Sequence, residues 1–193
     1  MTGAWLSAGL SFEEWLERPL DVRIRLAAAP YLVGWGYSLS APRVAFESPG
    51  VPDSLVGGNR LTNCSTLTAS LLTSVYADRP WTGREYGDLQ VFADRLPSTP
   101  DSPILAGVRM GVASPVDDFA AGRWHIVQGW RRLGSSPSGH AFLVLAGSDS
   151  GSLLVLEASS LEGGIGPRYK TTTATDLREQ YAAALFLGVL SDR

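Results

Sequence analysis

The sequence predicts an α+β fold, and three observations predict it. Helical patterns precede residue 80, most clearly in the apolar spacing at 61, 64, 67, 71, 72 and 75. From residue 122 onward the runs become β-prone. Two of them, His140–Ala146 and Leu153–Ala158, are apolar on both faces and joined by the short turn Gly147–Gly151. Helices first and then a meander of strands is an α+β order, with a helix packed on a mainly antiparallel sheet.

The elements follow from local chemistry. Ser11-Phe12-Glu13-Glu14 has the capping-box pattern and predicts a short helix that breaks at Pro19. Pro19 can open a second helix through Leu20, Val22, Ile24 and Leu26, ending before Pro30. Residues 38–60, rich in Ser, Pro and Gly, predict a long loop. An amphipathic helix begins at Cys64 and ends near Ala77. Gly83–Asp88 opens a further helical pattern through Leu96, and a Pro-rich stretch follows. The segment Trp124–Trp130 alternates as a strand, with His125 on the face opposite Trp124, Ile126 and Gln128 and read as structural. Gly163–Gly166 reads as a flexible loop. Thr175 is placed to cap a helix through Leu177 and Tyr181, and Leu185–Leu190 supplies a last strand.

Bulk properties bound the function. At 193 residues the chain suits one domain with a substantial core, expected to span 1–193 with an insertion around 80–120. A net charge of −3, with 16 basic residues dispersed, points away from nucleic acid and anionic membranes. One cysteine excludes an intrachain disulfide and the multi-cysteine zinc patterns, and no metal or organic cofactor is called for. No run of about 18 apolar residues suggests a membrane span. The N-terminus lacks a basic, then apolar leader, so the expected location is cytoplasmic or reached by a route that reads no Sec signal.

Cys64 carries the chemistry. It falls in the first turn of its helix, where unpaired backbone N–H groups and the helix dipole favour a thiolate. A thiol nucleophile needs an imidazole and a group that orients it. Of two histidines, His140 starts an apolar run directly after Gly139, and Glu157 interrupts the apolar run of the next strand. A carboxylate in a buried strand demands a partner. A bond to His140 supplies one, with an ion pair to an arginine such as Arg168 as the competing solution.

In this order the chain resembles the NlpC-type, papain-like cysteine peptidases of cell walls. The resemblance runs through Ala29-Pro30-Tyr31, Asn63-Cys64-Ser65-Thr66, Gly122-Arg123-Trp124, Gly139-His140-Ala141-Phe142 and Val155-Leu156-Glu157-Ala158, over roughly residues 20–160. Asn63 stands where the family has Asp, Thr66 where it has Gly, Arg123 where it has Asp, and Glu157 where His, Asn or Gln is commoner. The resemblance implies a papain-like fold with Cys64 as nucleophile, His140 as base and Glu157 as orienting residue. It places Tyr31, Trp35, Asn63 and Ser65 at the substrate. It also implies a small peptide or isopeptide substrate, the peptidoglycan stem peptide being the family's own class. Two alternatives stay open: a non-enzymatic binding module on this fold, and a lipid acyltransferase or thioesterase. The Cys-before-His order favours the peptidase.

Overall fold

A computed structural model describes Trp5 and residues 8–38, 60–78, 103–109, 111–133, 136–148, 151–160 and 166–192. The fold is mixed α+β with a mainly antiparallel sheet. The chain divides into two compact units. Met1–Tyr86, Ala158–Arg168 and Asp192–Arg193 form the first, and Gly87–Glu157 with Tyr169–Ser191 the second. The predicted helix at 83–96 and the loop residues 39–59 lie outside the described residues.

In the first unit, α1 (Phe12–Leu16) starts with the full capping box: the Ser11 hydroxyl accepts from the Glu14 N–H, and the Glu14 carboxylate accepts from the Ser11 N–H. That backbone bond holds the Glu14 carboxyl below its ordinary range. Helix α2 (Leu20–Ala28) follows Pro19, whose side chain cannot cap. Asp192 does so instead, accepting from the Leu20 N–H at 2.8 Å. A 3₁₀ turn, Ala29–Tyr31, leads to β1 (Gly36–Tyr37), which pairs in parallel with β2 (Leu61–Thr62). Gly166, at φ +93°, lies against the Trp35 carbonyl, where any side chain would collide.

Helix α3 (Cys64–Val75) differs from its predicted amphipathic form, because all of its residues are buried. Its hydroxyls make this tolerable by bonding back to their own helix. Thr68 donates to the Cys64 carbonyl, Ser70 to Thr66, Thr73 to Ala69 and Ser74 to Ser70, at 2.7–2.8 Å. The carbonyls at its C-terminal end need donors from elsewhere. The indole of Trp15 donates to the Ser74 carbonyl at 3.1 Å, and the Arg23 guanidinium to the Val75 carbonyl at 2.6 Å. Arg23, only 3% exposed, also places its cation at the negative end of the helix.

The second unit holds most of a six-stranded sheet ordered β3-β8-β4-β5-β6-β7. Its strands are β3 (Ala113–Val116), β4 (Trp124–Leu133), β5 (Ser136–Ala146), β6 (Ser152–Ser159), β7 (Gly166–Thr173) and β8 (Ala184–Leu190). Helix α4 (Pro103–Arg109) precedes β3, and α5 (Ala174–Gln180) connects β7 to β8. The β4–β5 and β5–β6 hairpins have the antiparallel register expected of them. Strand β8 inserts between β3 and β4, so the meander is interrupted at that edge. Pro115 is accommodated because β3 is an edge strand.

Each face of this sheet is covered. Val127, Phe142, Val144, Ala146, Leu153, Val155 and Leu187 pack with Leu177 of α5 and with Tyr181. Ile126 lies on the other face, where it and Ile104 of α4 flank Gly188. The cap of α5 is Thr173, two residues before the predicted Thr175; its hydroxyl accepts from the Asp176 N–H. Gly129 sits directly under the Tyr181 ring, where an added Cβ would lie 2.5 Å from a ring carbon.

Two substitutions test these constraints. Trp15→Phe removes the donor to a buried carbonyl and is expected to cost about 1–3 kcal/mol in urea unfolding. Gly129→Ala forces Tyr181 off its seat and is expected to cost a similar amount, about 1–3 kcal/mol. Loss of near-UV circular dichroism from the displaced tyrosine should accompany it.

Candidate active site

Cys64 is the first residue of α3 and 8% exposed. Asn63 caps the helix: its side-chain oxygen accepts from the Thr66 N–H at 2.9 Å and from the Ser65 hydroxyl at 2.8 Å. The helix therefore starts on a neutral amide. An aspartate there would have put a negative charge one residue from the sulfur, opposing a thiolate. As the first helical residue, Cys64 directs its backbone N–H out of the helical ladder, the direction an oxyanion donor requires.

Tyr31 and Trp35 form a tilted ring pair 4.8 Å apart, and both are buried. The Tyr31 hydroxyl bonds Ser70 of α3, and burial pushes its phenol well above the ordinary tyrosine range. Ser70 donates its own hydrogen to the Thr66 carbonyl, so Tyr31 donates to Ser70. Tyr31, Trp35, Asn63, Cys64 and Ser65 all belong to the first unit.

His140 and Glu157 belong to the second unit, and the sheet brings them together. Strand β5 begins at Ser136, so His140 lies within it rather than opening it. The register sets Leu143 opposite Leu156, which puts Phe142 opposite Glu157 and His140 on that same face. His140 Nε2 lies 2.9 Å from Glu157 Oε2, with side-chain exposures of 6% and 2%. The other carboxylate oxygen, Oε1, lies 3.2 Å from Lys170 Nζ on β7. Lys170 thus brings a cation to Glu157, and the histidine bond and an ion pair coexist.

These contacts assign the proton. A carboxylate only accepts, so with Glu157 ionised the hydrogen on the His140 ring sits at Nε2, leaving Nδ1 as the basic nitrogen. Tyr181 stacks near-parallel on the imidazole at 6.2 Å, and Phe142 lies 5.1 Å away. The Arg131 guanidinium stands over the Tyr181 ring, 5.8 Å from its centre. A polar pair is therefore held inside an aromatic wall.

Lys170 is the residue that sequence reasoning misses, because Gly163–Gly166 reads as a loop and the stretch after it, up to Thr173, receives no element. The signal was present in Tyr169 and the three threonines Thr171, Thr172 and Thr173, all strand formers. Alternation then places Arg168 and Lys170 on one face. Among the described residues no group of three or more His, Cys, Asp or Glu side chains is arranged to hold a metal ion. No described helix is long and apolar enough to cross a membrane.

The other histidine serves the fold. His125 is fully buried, and its Nε2 accepts from the Ala120 N–H at 3.0 Å. Phe119 meets its ring edge-on at 5.4 Å, and Asp118, which bonds Arg178, completes this corner. Burial depresses the His125 pKa, so the native state holds the neutral ring. Between that depressed value and the ordinary one near 6.5 the unfolded chain binds more protons, and stability falls as pH falls. Urea midpoints from pH 7.5 to 5 should therefore decline more steeply in the wild type than in His125→Gln, whose amide still accepts from Ala120. Equal slopes would refute the assignment.

Comparison with known proteins returns no match to any family model, curated protein or solved structure.

Proposed function

We propose that the chain is a cysteine hydrolase of amide bonds on a papain-like, NlpC-type scaffold. Cys64 is the nucleophile, His140 the general base and acid, and Glu157 the residue that orients the imidazole. The observation that supports this reading is the buried Nε2–Oε2 bond of 2.9 Å between His140 and Glu157. It makes Nδ1 the nitrogen that takes a proton, and an oriented imidazole is what a thiol nucleophile requires. The sulfur's own position is a balance: the helix end favours a thiolate, and burial opposes it. Pairing with an imidazolium resolves that balance.

In the reaction the Cys64 thiolate attacks the carbonyl carbon, and the oxyanion is met by the Cys64 backbone N–H. The C–N bond breaks as the His140 imidazolium gives its Nδ1 proton to the leaving amine. Water, deprotonated by the same nitrogen, then attacks the thioacyl-enzyme and restores the thiol. Losing one oxyanion donor typically costs about 3 kcal/mol. The substrate class is a small peptide or isopeptide, with a peptidoglycan stem peptide as the first to be assayed.

The test is the rate of iodoacetamide labelling of Cys64 as a function of pH, in the wild type and in His140→Ala. Labelling should stay fast below pH 7 in the wild type and fall about a hundredfold near pH 6 in the variant, as expected for an unpaired thiol. Slow labelling with an ordinary thiol profile in both proteins would sink the proposal.

A further inference from the structure

Glu157 has two partners of different kinds. His140 can be neutral or cationic, whereas Lys170 is an ammonium donor 3.2 Å from Oε1. The carboxylate is 2% exposed, and an ionised carboxylate so far from water is unfavourable without a compensating charge. With His140 alone as its partner, the pair would retain one proton to higher pH. That proton would sit either on the imidazole, which could then no longer act as a base, or on the carboxyl. A protonated carboxyl would donate to Nε2 and move the ring hydrogen to Nδ1.

We infer that Lys170 is a positioning residue: by occupying Glu157 Oε1 it keeps the carboxylate ionised while His140 is neutral, and so holds the ring hydrogen on Nε2 with Nδ1 basic. Lys170 acts through Glu157 and touches no reacting atom. Its strand neighbours β6, and its side chain is 20% exposed, so the ammonium is partly hydrated while the carboxylate is not. The consequence for catalysis rests on the cysteine-hydrolase reading; the proton bookkeeping of the pair does not.

Elements packed against the imidazole bring other charged groups as well. From β4, Arg131 stands over Tyr181. The chain just after α5 contributes Tyr181 itself, and the charged residues of α5 (Asp176, Arg178 and Glu179) are exposed. On β7, Arg168 shares the face of Lys170, and Lys170 makes the 3.2 Å contact to Oε1.

The experiment follows the His140 ring by ¹⁵N and ¹H NMR against pH in the wild type, Lys170→Met and Lys170→Arg, with His140→Ala used to assign the signals. In the wild type at pH 7.5 the ring should be the neutral Nε2–H tautomer. In Lys170→Met the midpoint of the His140–Glu157 pair should rise by about one unit or more, and Lys170→Arg should restore it. If Lys170→Met does not fold, Lys170→Gln removes the charge with a shorter polar side chain and carries the same expectation. A Lys170→Met or Lys170→Gln midpoint equal to the wild type's, with the tautomer unchanged, overturns the inference.

Cys64 labelling profiles of the same proteins separate the two proposals. A raised His140 midpoint with an ordinary thiol profile throughout supports Lys170 and removes the hydrolase reading. Labelling that depends on His140 but neither shifts nor slows in Lys170→Met, with an unmoved midpoint, supports the hydrolase reading and removes the role of Lys170.

Discussion

Glu157 places a carboxylate within an otherwise apolar strand, and the arrangement of three strands answers it. Both oxygens are engaged, one by His140 on β5 and the other by Lys170 on β7, the strands on either side of β6. The hairpin register is therefore tied to the polar pair as well as to the apolar core. A slip of one residue between β5 and β6 would carry His140 to the opposite face and leave the carboxylate short of a donor. The requirement extends to β4, where Gly129 gives Tyr181 the space to stack on the imidazole. Few positions in this part of the sheet are independent of that one buried charge.

The helix that presents Cys64 solves a different problem. A fully buried helix with six serine and threonine residues would be unfavourable if those hydroxyls went unpaired. Four of them bond back to carbonyls one turn earlier, and the Asn63 cap accepts from a fifth, Ser65. Trp15 and Arg23 then close its C-terminal end from α1 and α2. The sulfur is thereby fixed at the start of a rigid element.

Legibility in the sequence tracked how local the governing interaction was. The capping box at Ser11 and Glu14, the break at Pro19 and the β5–β6 hairpin involve neighbours within a few residues or a plain apolar alternation. Even the His140–Glu157 bond could be anticipated, because a carboxylate inside an apolar run is anomalous and the hairpin leaves few partners. The cap of α5 was misplaced by two residues because Thr173 and Thr175 are chemically equivalent and only the chain path chooses between them. Helix α4 and strand β3 were hidden by Pro103 and Pro115, which read as breakers but sit at a first helical residue and on an edge strand.

By itself the sequence determined the α+β order, the antiparallel pairing of the central strands and the pairing of His140 with Glu157. Those depend on side-chain periodicity and on residues whose burial demands a partner. Only the tertiary structure decided that Lys170 meets Glu157, that α3 is buried on every side, and that β8 returns between β3 and β4. These rest on contacts between segments far apart in the chain. There, several residues of suitable chemistry compete, and packing selects among them.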